Sequence, residues 1–383
     1  MAPIRLNIGA GDQELEGFCP IDIRNGDDAA QLDYADGIAA EVRASHVLEH
    51  FSYRQVPAVL KEWVRVLKPG GLIRIAVPDL DCIIRDYQSD APSPLGVAWL
   101  MGGQVDEHDF HRAAFNEPAL RGLLRQAGIG RIGRWTSEAS DCASLPCSLN
   151  LQGYKRTSRE LPDVMAVMSM PRLCFSDNFL CAWRALRPLK TGFSKASGAY
   201  WDQAMTALFE KALDEPRYRY LLTLDYDTVF TSADVLDLHQ TMEAHPDIEA
   251  IAATQMRRES CLPLCAYDKA PTLAEIAVNE VATVATAHFG LTLIRADALR
   301  ATPLPWFEAK AGTDGRWEGD NGHLDADVSF WHKWKEAGHT VCQANRVVVG
   351  HIEQVVTWPD KHFHPCYQKL SDYEEHGKPE EVA

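Results

Sequence analysis

No apolar run in this chain approaches the length of a membrane span, and its opening, MAPIRLNIGAG, has no basic region followed by an apolar core. Both absences point to a cytosolic protein. None of the ten cysteines forms a Cys-x-x-Cys pair, and the closer pairs, Cys142 with Cys147 and Cys261 with Cys265, lack a second pair at zinc-like spacing. Free thiols are therefore expected, not a zinc module or a disulfide framework. Positive charge is also scarce: 38 Lys and Arg stand against 54 Asp and Glu, a formal net charge of −16. That balance disfavours a broad electrostatic footprint for nucleic acid or anionic lipid. Small polyphosphates neutralised by a metal remain compatible with it. No internal repeat or low-complexity tract is visible.

What is present is ordinary for a folded globular chain, with 46% hydrophobic and 24% charged residues. A length of 383 residues suggests two or three domains, each able to bury a core. The first apolar run, Ile4 to Ile8, leads straight into Gly9, Ala10 and Gly11. Glycines after a first strand let a backbone approach a ligand closely, and one strand later PIDI places Asp22 where a carboxylate can hold ribose hydroxyls. Val56, Val59, Leu60, Trp63, Val64 and Leu67 recur at helical spacing behind Pro57. LKPGG stops that helix, LIRIAV follows as a strand, and VPDL puts Asp79 at its carboxyl end.

NIGAG, IDI, ASHVLEHF, WVRVLKPGGLIRIAVPDL and HRAAFNEPALRGLLRQAG, in that order, resemble a small class I S-adenosylmethionine-dependent methyltransferase over most of the first 135 residues. The resemblance implies a Rossmann-like sheet, Gly9 and Gly11 beside the cofactor, Asp22 on its ribose and Asp28 near its adenine. Two departures stand out. Asn7 occupies a place where the family often has an acid, and the segment from Asp22 to Asp36 is too short for a full strand and helix pair. A base near neutral pH would be sought among His46, Glu49 and His50, which also suit a helix start. Glu107, His108, Asp109 and His111 are ligand types that read as a cap or a surface cluster.

Periodicity fades between Trp135 and Pro162, which places a junction near Leu151 to Leu161. VMAVMSM opens a second α/β unit. Trp201, Ala204, Met205, Leu208, Phe209, Ala212 and Leu213 give a helix with one face on a sheet. LTLDYDTVF then reads as a buried strand ending in Asp225, Tyr226 and Asp227. Two carboxylates one residue apart at such an end can reach one hard cation, Mg2+ or Mn2+. DIEAIAATQ and HFGLTLIRADAL follow as strands. LDADVSFWHKWKEAG gives a helix beginning just after Asp325 and Asp327, and His351 lies past the last apolar run.

LTLDYDTVF, FGLTLIRADAL, DADVSFWHKWKEAGH and VVVGHI together resemble the glycosyltransferase-A fold, in its inverting family-two-like branch, over about Pro162 to Ile352. The resemblance implies a nucleotide-sugar donor, a divalent metal on Asp225 and Asp227, and His351 as a further ligand. The family's acidic pair before the last helix is here Ala326 and Asp327, so Asp327 ranks first as base and Asp325 second. Arg257 and Arg258 suit a phosphate, an acceptor or a solvated turn. Trp306 and Trp317 could face sugar, whereas Trp331 and Trp334 fit a core.

The expectation is thus an α/β protein of two Rossmann-like domains: 1–150 methyltransferase-like, 151–161 a linker, 162–360 of glycosyltransferase-A type, and 361–383 an acidic solvated tail. Its function would be transfer of a sugar to the hydroxyl of a glycan or other acceptor, with methylation by the first domain. Two alternatives stay open: a first domain that only binds, and an acceptor that is a hydroxylated base of DNA.

Overall fold

The computed structural model describes residues 3–89, 93, 96–157, 160–171, 174–198, 200–257, 263–267, 272, 275–276, 279–317 and 321–379. The chain is mixed α/β and builds two sheets in succession. In the first, β1 (Ile4–Ile8), β2 (Cys19–Ile21), β3 (Ala39–Ser45), β4 (Leu67–Pro78), β5 (Ile129–Arg134) and β6 (Ser148–Lys155) lie in the order β2-β1-β3-β4-β6-β5. The first four are mutually parallel, while β6 runs antiparallel between β4 and β5. Leu6, Ile8, Val42, Ala44, Ile73 and Ile75 are fully buried because both faces of the parallel strands are covered. The helix Val56–Val66 has Pro57 in its first turn and buries Val59, Leu60 and Trp63 on the sheet, as its spacing predicts. Between β2 and β3 there is a short 3-10 turn, Ile23–Asn25, in place of a strand and helix pair.

The second sheet has seven strands: β7 (Val164–Met170), β8 (Gly192–Ser197), β9 (Tyr220–Leu224), β11 (Ala250–Thr254), β12 (Val281–Thr283), β13 (Leu291–Arg295) and β14 (Val341–Val348), with β10 (Thr228–Val229) outside it. Its order is β12-β14-β11-β13-β9-β7-β8. β8, β7 and β9 are parallel, and β13 enters antiparallel between β9 and β11. The helix Trp201–Leu213 buries Ala204, Met205, Leu208, Phe209 and Ala212. Trp306, Phe330, Trp331 and Trp334 join that core, so three of the four tryptophans considered for a sugar face are structural and Trp317 alone is exposed.

Three boundaries differ from the sequence reading. The expected linker, 151–161, overlaps β6, whose alternation of buried Leu149, Leu151 and Gly153 with polar Asn150, Gln152 and Tyr154 looks like faded periodicity when its neighbours are unknown. The expected acidic tail, 361–383, contains the second strand of a hairpin and a helix: β15 (Gly350–His351) pairs with β10, then β16 (Val355–Pro359), just before the tail, pairs with β17 (Pro365–Lys369), which leads into the helix Leu370–His376. The last long helix spans Ala326–Glu336, so Asp327 lies within its first turn instead of before it. The nine described cysteines are free, Cys142 and Cys147 included, while Cys261 lies outside the described residues. Among the described residues, no helix is long and apolar enough to cross a membrane.

The sheets meet where β5 faces the helix Ser232–Ala244, which Thr231 and Asp234 start with a capping box. Two glycines of β5 permit the approach: a Cβ at Gly130 would lie 2.1 Å from Asp237, and one at Gly133 would lie 2.4 Å from Arg346. Between them Arg131 makes a bidentate pair with Glu280, while Arg156 bonds Asp237 at 2.9 Å. Burial alone would raise the Glu280 carboxyl, but hydrogen bonds and charge from Arg131, with Arg346 and His245 beside it, hold it below the usual range. A lowered carboxyl contributes stability above its unfolded value, about 4.3, and loses it as pH falls through the folded value. Asp237 is raised, by burial, and its contribution has the opposite sign.

Replacing Glu280→Gln should therefore cost about 3 kcal/mol at neutral pH, the scale for breaking a buried pair. Denaturant melts at pH 7 and pH 3.5 check this. The gap between wild type and variant should narrow in acid, and a gap of constant size would refute the ionic account.

Candidate functional sites at the carboxyl edges of the two sheets

At the end of β1 the chain turns through Gly9 and Gly11, with φ of 66° and 58°. The backbone N–H groups of Gly9 and Ala10 both donate to the Ile21 carbonyl, at 2.8 and 3.2 Å, which seats the loop on the end of β2. Gly9 is required twice over. Its left-handed φ disfavours any side chain, and a Cβ there would sit 2.2 Å from a Val47 methyl. Asp22, at the carboxyl end of β2, accepts from the Gly11 N–H at 2.7 Å and from the backbone and side chain of Arg24, each at 3.0 Å. Burial works to raise its pKa, yet those bonds outweigh it and the carboxyl lies below its ordinary value. It is ionised at neutral pH. Asp28 is exposed and accepts from the Ala30 N–H at 2.8 Å. Asn7 is buried and accepts from Arg43, whose guanidinium also meets Asp141, so an uncharged partner suffices at that position. A cavity of about 410 Å³ opens beside this loop against Asn7, Gln13, Leu15 and Phe18.

In the second sheet Asp225 directly follows β9, partly buried, and Asp227 is 4% exposed. β10 and β15 pair antiparallel with Thr228 opposite His351, and the Ile352 N–H donates to the Asp227 carbonyl at 2.7 Å. This brings His351 Nε2 to 3.3 Å from Asp227 Oδ2. His351 Nδ1 lies 3.1 Å from the Met256 carbonyl, which assigns the proton to Nδ1 and turns Nε2 toward the carboxylate. Two of the three expected ligands are therefore joined, whereas Asp225 is not drawn in close enough to complete a three-ligand group. Asp327 is partly buried, and its carboxyl is raised by burial and secondarily by the charge of Asp325, despite a bond from the Val328 N–H at 2.8 Å. Asp325 occupies the N-cap position, yet its exposed side chain makes no capping bond. Arg257 is exposed, and Arg258 lies outside the described residues.

Sequence reasoning missed the polar residues beneath this edge. Asn178, fully buried, donates through Nδ2 to the carbonyls of Asp225, at 3.3 Å, and Thr228, at 2.5 Å, and so fixes the turn between the two aspartates. Gln255 Nε2 bridges Thr228 Oγ1 and the Gly350 carbonyl, each at 3.1 Å. His288 bonds the Ala253 carbonyl and accepts from the Gly290 N–H; burial pushes its pKa down to about 4, so it is neutral and can serve both partners. A single amide or imidazole in a strand-rich stretch carries no signal until its neighbours are known. Beside the turn a cavity of about 320 Å³ is lined by Phe175, Tyr226, Ile352, Glu353, Leu370 and Glu374. The supposed tail thus forms one wall of the site.

The candidate methyl-transfer base also looks different in three dimensions. His46 has both ring nitrogens engaged, Nδ1 at 3.2 Å from Glu49 and Nε2 at 2.9 Å from Ser148. Glu107 and His108 are surface residues, as expected, whereas His111 turns inward to within 3.9 Å of Glu49.

Residues 10–75 match the sequence model of the family described as "Methyltransferase domain". No curated protein matches the chain. Among solved structures, A197 from STIV is similar at 12% identity over 54% of this chain and 93% of that one, with a TM-score of 0.37. An S-adenosylmethionine-dependent methyltransferase from Archaeoglobus fulgidus is 15% identical over 40% of this chain and 87% of that one, at 0.28. A Burkholderia thailandensis 1,6-didemethyltoxoflavin-N1-methyltransferase with bound S-adenosylhomocysteine is 19% identical over 40% and 70%, at 0.27. Scores of this size assign no shared fold over the chain.

Gly9→Ala should destabilise the fold by at least the roughly 1–2 kcal/mol that a left-handed residue costs, and Val47→Ala should recover part of the loss. A double-mutant cycle read by chemical denaturation checks this. Strict additivity would show that the Val47 contact does not set the loop.

Proposed function

We propose that the protein is a two-part transferase: the first sheet moves a methyl group from S-adenosylmethionine, and the second moves a sugar from a nucleotide-sugar donor to an acceptor hydroxyl with Mn2+ or Mg2+. The observation that carries the first half is the methyltransferase-domain match over residues 10–75, which falls on the edge where Gly11 and Asp22 meet. The residues there fit the cofactor. Two positive-φ glycines leave the backbone bare, and Asp22 is an ionised carboxylate with lone pairs left for ribose hydroxyls. When bound, the cofactor supplies an electrophilic methyl group. Gly9 and Gly11 hold the approach path clear, and Asp22 orients the ribose.

Support for the second half is the Asp227 and His351 contact. A spacing of 3.3 Å between a carboxylate oxygen and an imidazole nitrogen suits two ligands of one cation, and the Met256 carbonyl presents the right nitrogen of the imidazole. A divalent cation there supplies charge to offset the negative charge that builds on a leaving nucleoside diphosphate. Asp225, at the same turn, would be the further carboxylate ligand. Asp327 takes the proton from the attacking hydroxyl; its raised carboxyl makes it a better base than an ordinary aspartate, and exposed Asp325 ranks second. A glycan suits the acceptor role better than DNA, given the net charge of −16.

One observation favours a second reading, in which the first sheet is a binding module without methyl transfer. Both Asp22 oxygens are already engaged by Gly11 and Arg24, so a ribose must share or displace those partners.

Calorimetric titration of the full chain with S-adenosylmethionine separates the two readings: binding at micromolar ligand is expected, and no heat at millimolar ligand would sink the methyl-transfer half. For the second sheet, Asp227→Ala should lower Mn2+-dependent hydrolysis of a nucleotide-sugar panel by at least 100-fold at unchanged melting temperature. Unchanged turnover there would remove the metal assignment. Asp327→Asn should keep donor affinity and lose transfer, and full activity would shift the base to Asp325 or elsewhere.

A further inference from the structure

The two clusters of ligand-type residues in the first domain, 46–50 and 107–111, are far apart in sequence and meet in the fold. β3 ends in a 3-10 turn, Leu48–His50, and the segment after residue 109 docks on it through the N–H groups of Arg112 and Ala113, which donate to the Glu49 carbonyl at 2.7 and 3.1 Å. Glu49 is thereby sealed, 0% exposed, on the same edge of the sheet as the Gly9 loop. Neither of its carboxylate oxygens accepts a well-aligned hydrogen bond, and the one close side-chain contact is His46 Nδ1 at 3.2 Å from Oε1. A carboxylate in that position is strongly unfavourable unless a cation or several donors meet it.

The groups arranged around Glu49 are imidazoles. One ligand atom each from Glu49, His50 and His111 lies within 4.8 Å of the others. The rings of His50 and His111 meet edge to face, centroids 4.9 Å apart. The His50 ring is oriented by a backbone carbonyl, its Nδ1 lying 3.3 Å from Phe110 O, and the His111 ring brings Nε2 to 3.9 Å from a Glu49 oxygen. A carbonyl on one ring nitrogen fixes the tautomer and presents the other as a lone pair, which is the arrangement that accompanies metal-ligating histidines. We infer that Glu49, His50 and His111 form a site for a divalent first-row transition metal, zinc above all, separate from the Asp227 and His351 site and independent of the methyl-transfer reading.

The donor set supports that choice. Two imidazoles and one carboxylate match the ligands of open zinc centres, while Mg2+ and Ca2+ favour oxygen-only shells. Ligand atoms of one zinc ion lie roughly 3.3 Å apart, so the group must contract on loading. His50 and His111 are both only partly buried, so they are the members of the group outside the core. A cavity of about 40 Å³ touches the cluster between His46, His111, Trp99 and Leu145, room for a water or an acceptor oxygen as a further ligand. The competing explanation is an ion pair of Glu49 with His46, whose Nδ1 is 3.2 Å from one carboxylate oxygen. That contact serves one oxygen and leaves the other without a partner.

The test uses the full chain carrying Asp227→Ala, so that the second sheet does not contribute zinc. After chelation and dialysis this protein should take up one equivalent of Zn2+ by calorimetry and elemental analysis. Adding Glu49→Gln or His111→Ala should weaken that binding at least 100-fold, and adding Glu107→Gln on the surface should leave it unchanged. Zinc affinity that survives Glu49→Gln and His111→Ala, or no zinc uptake by the Asp227→Ala protein, would overturn the site. A readout that needs no further variant is the visible spectrum of the Co2+-loaded Asp227→Ala protein. Intense d–d bands of a four- or five-coordinate ion are expected, and a weak hexa-aqua spectrum would refute the assignment.

Discussion

Both halves of the molecule answer one constraint: a parallel strand that ends in the middle of a sheet must release its chain at the carboxyl edge without leaving backbone polar groups unmatched. In the first sheet the Ile21 carbonyl accepts from the N–H groups of Gly9 and Ala10, which permits a tight left-handed turn directly above β1. In the second, the amide of Asn178 bonds the carbonyls of Asp225 and Thr228. Once β10 is held there, its pairing with β15 carries His351 to Asp227. The groups that solve a backbone problem are thus the groups that aim side chains into the candidate sites.

The buried polar layer under β10 belongs to the same solution. Gln255, Thr228 and His288 each bond a backbone or side-chain group from another strand, and Gly290 is bare because a Cβ there would lie within 3 Å of all three. Such a layer is rigid when fully paired and costly when one member is removed. It fixes the edge of the sheet, while the wall formed by the helix Leu370–His376 belongs to a separate hairpin and helix. The join between the sheets is equally specific: Gly130 and Gly133 make space for Asp237 and Arg346, and the Arg131 pair with Glu280 closes it.

Much of this was legible in residue order. The helical spacing from Val56 to Val66, the strand before Asp225 and the glycines after Ile8 all lie where periodicity and turn chemistry put them. β6 was not legible, because its half-buried positions carry Asn150, Gln152 and Tyr154 and only cross-strand partners reveal the alternation. The hairpin at 355–369 was hidden because neither of its strands contains a buried residue. Of the candidate site residues, Gly9, Gly11, Asp22, Asp225, Asp227 and His351 are the ones that local pattern names. It could not find Asn178, Gln255 or His288, whose roles depend on contacts with segments distant in sequence. The same limit split Glu49 and His50 from His111.

The central claim is that each sheet presents a separate ligand site at its carboxyl edge, one for an S-adenosyl cofactor and one for a divalent cation. One diffraction experiment tests it most directly: a crystal grown with S-adenosylhomocysteine and Mn2+, measured with manganese anomalous scattering. Density for the nucleoside against Gly11 and Asp22, with an anomalous peak within bonding distance of Asp227 and His351, is the predicted result. An empty glycine loop, or manganese located away from both residues, would contradict the account.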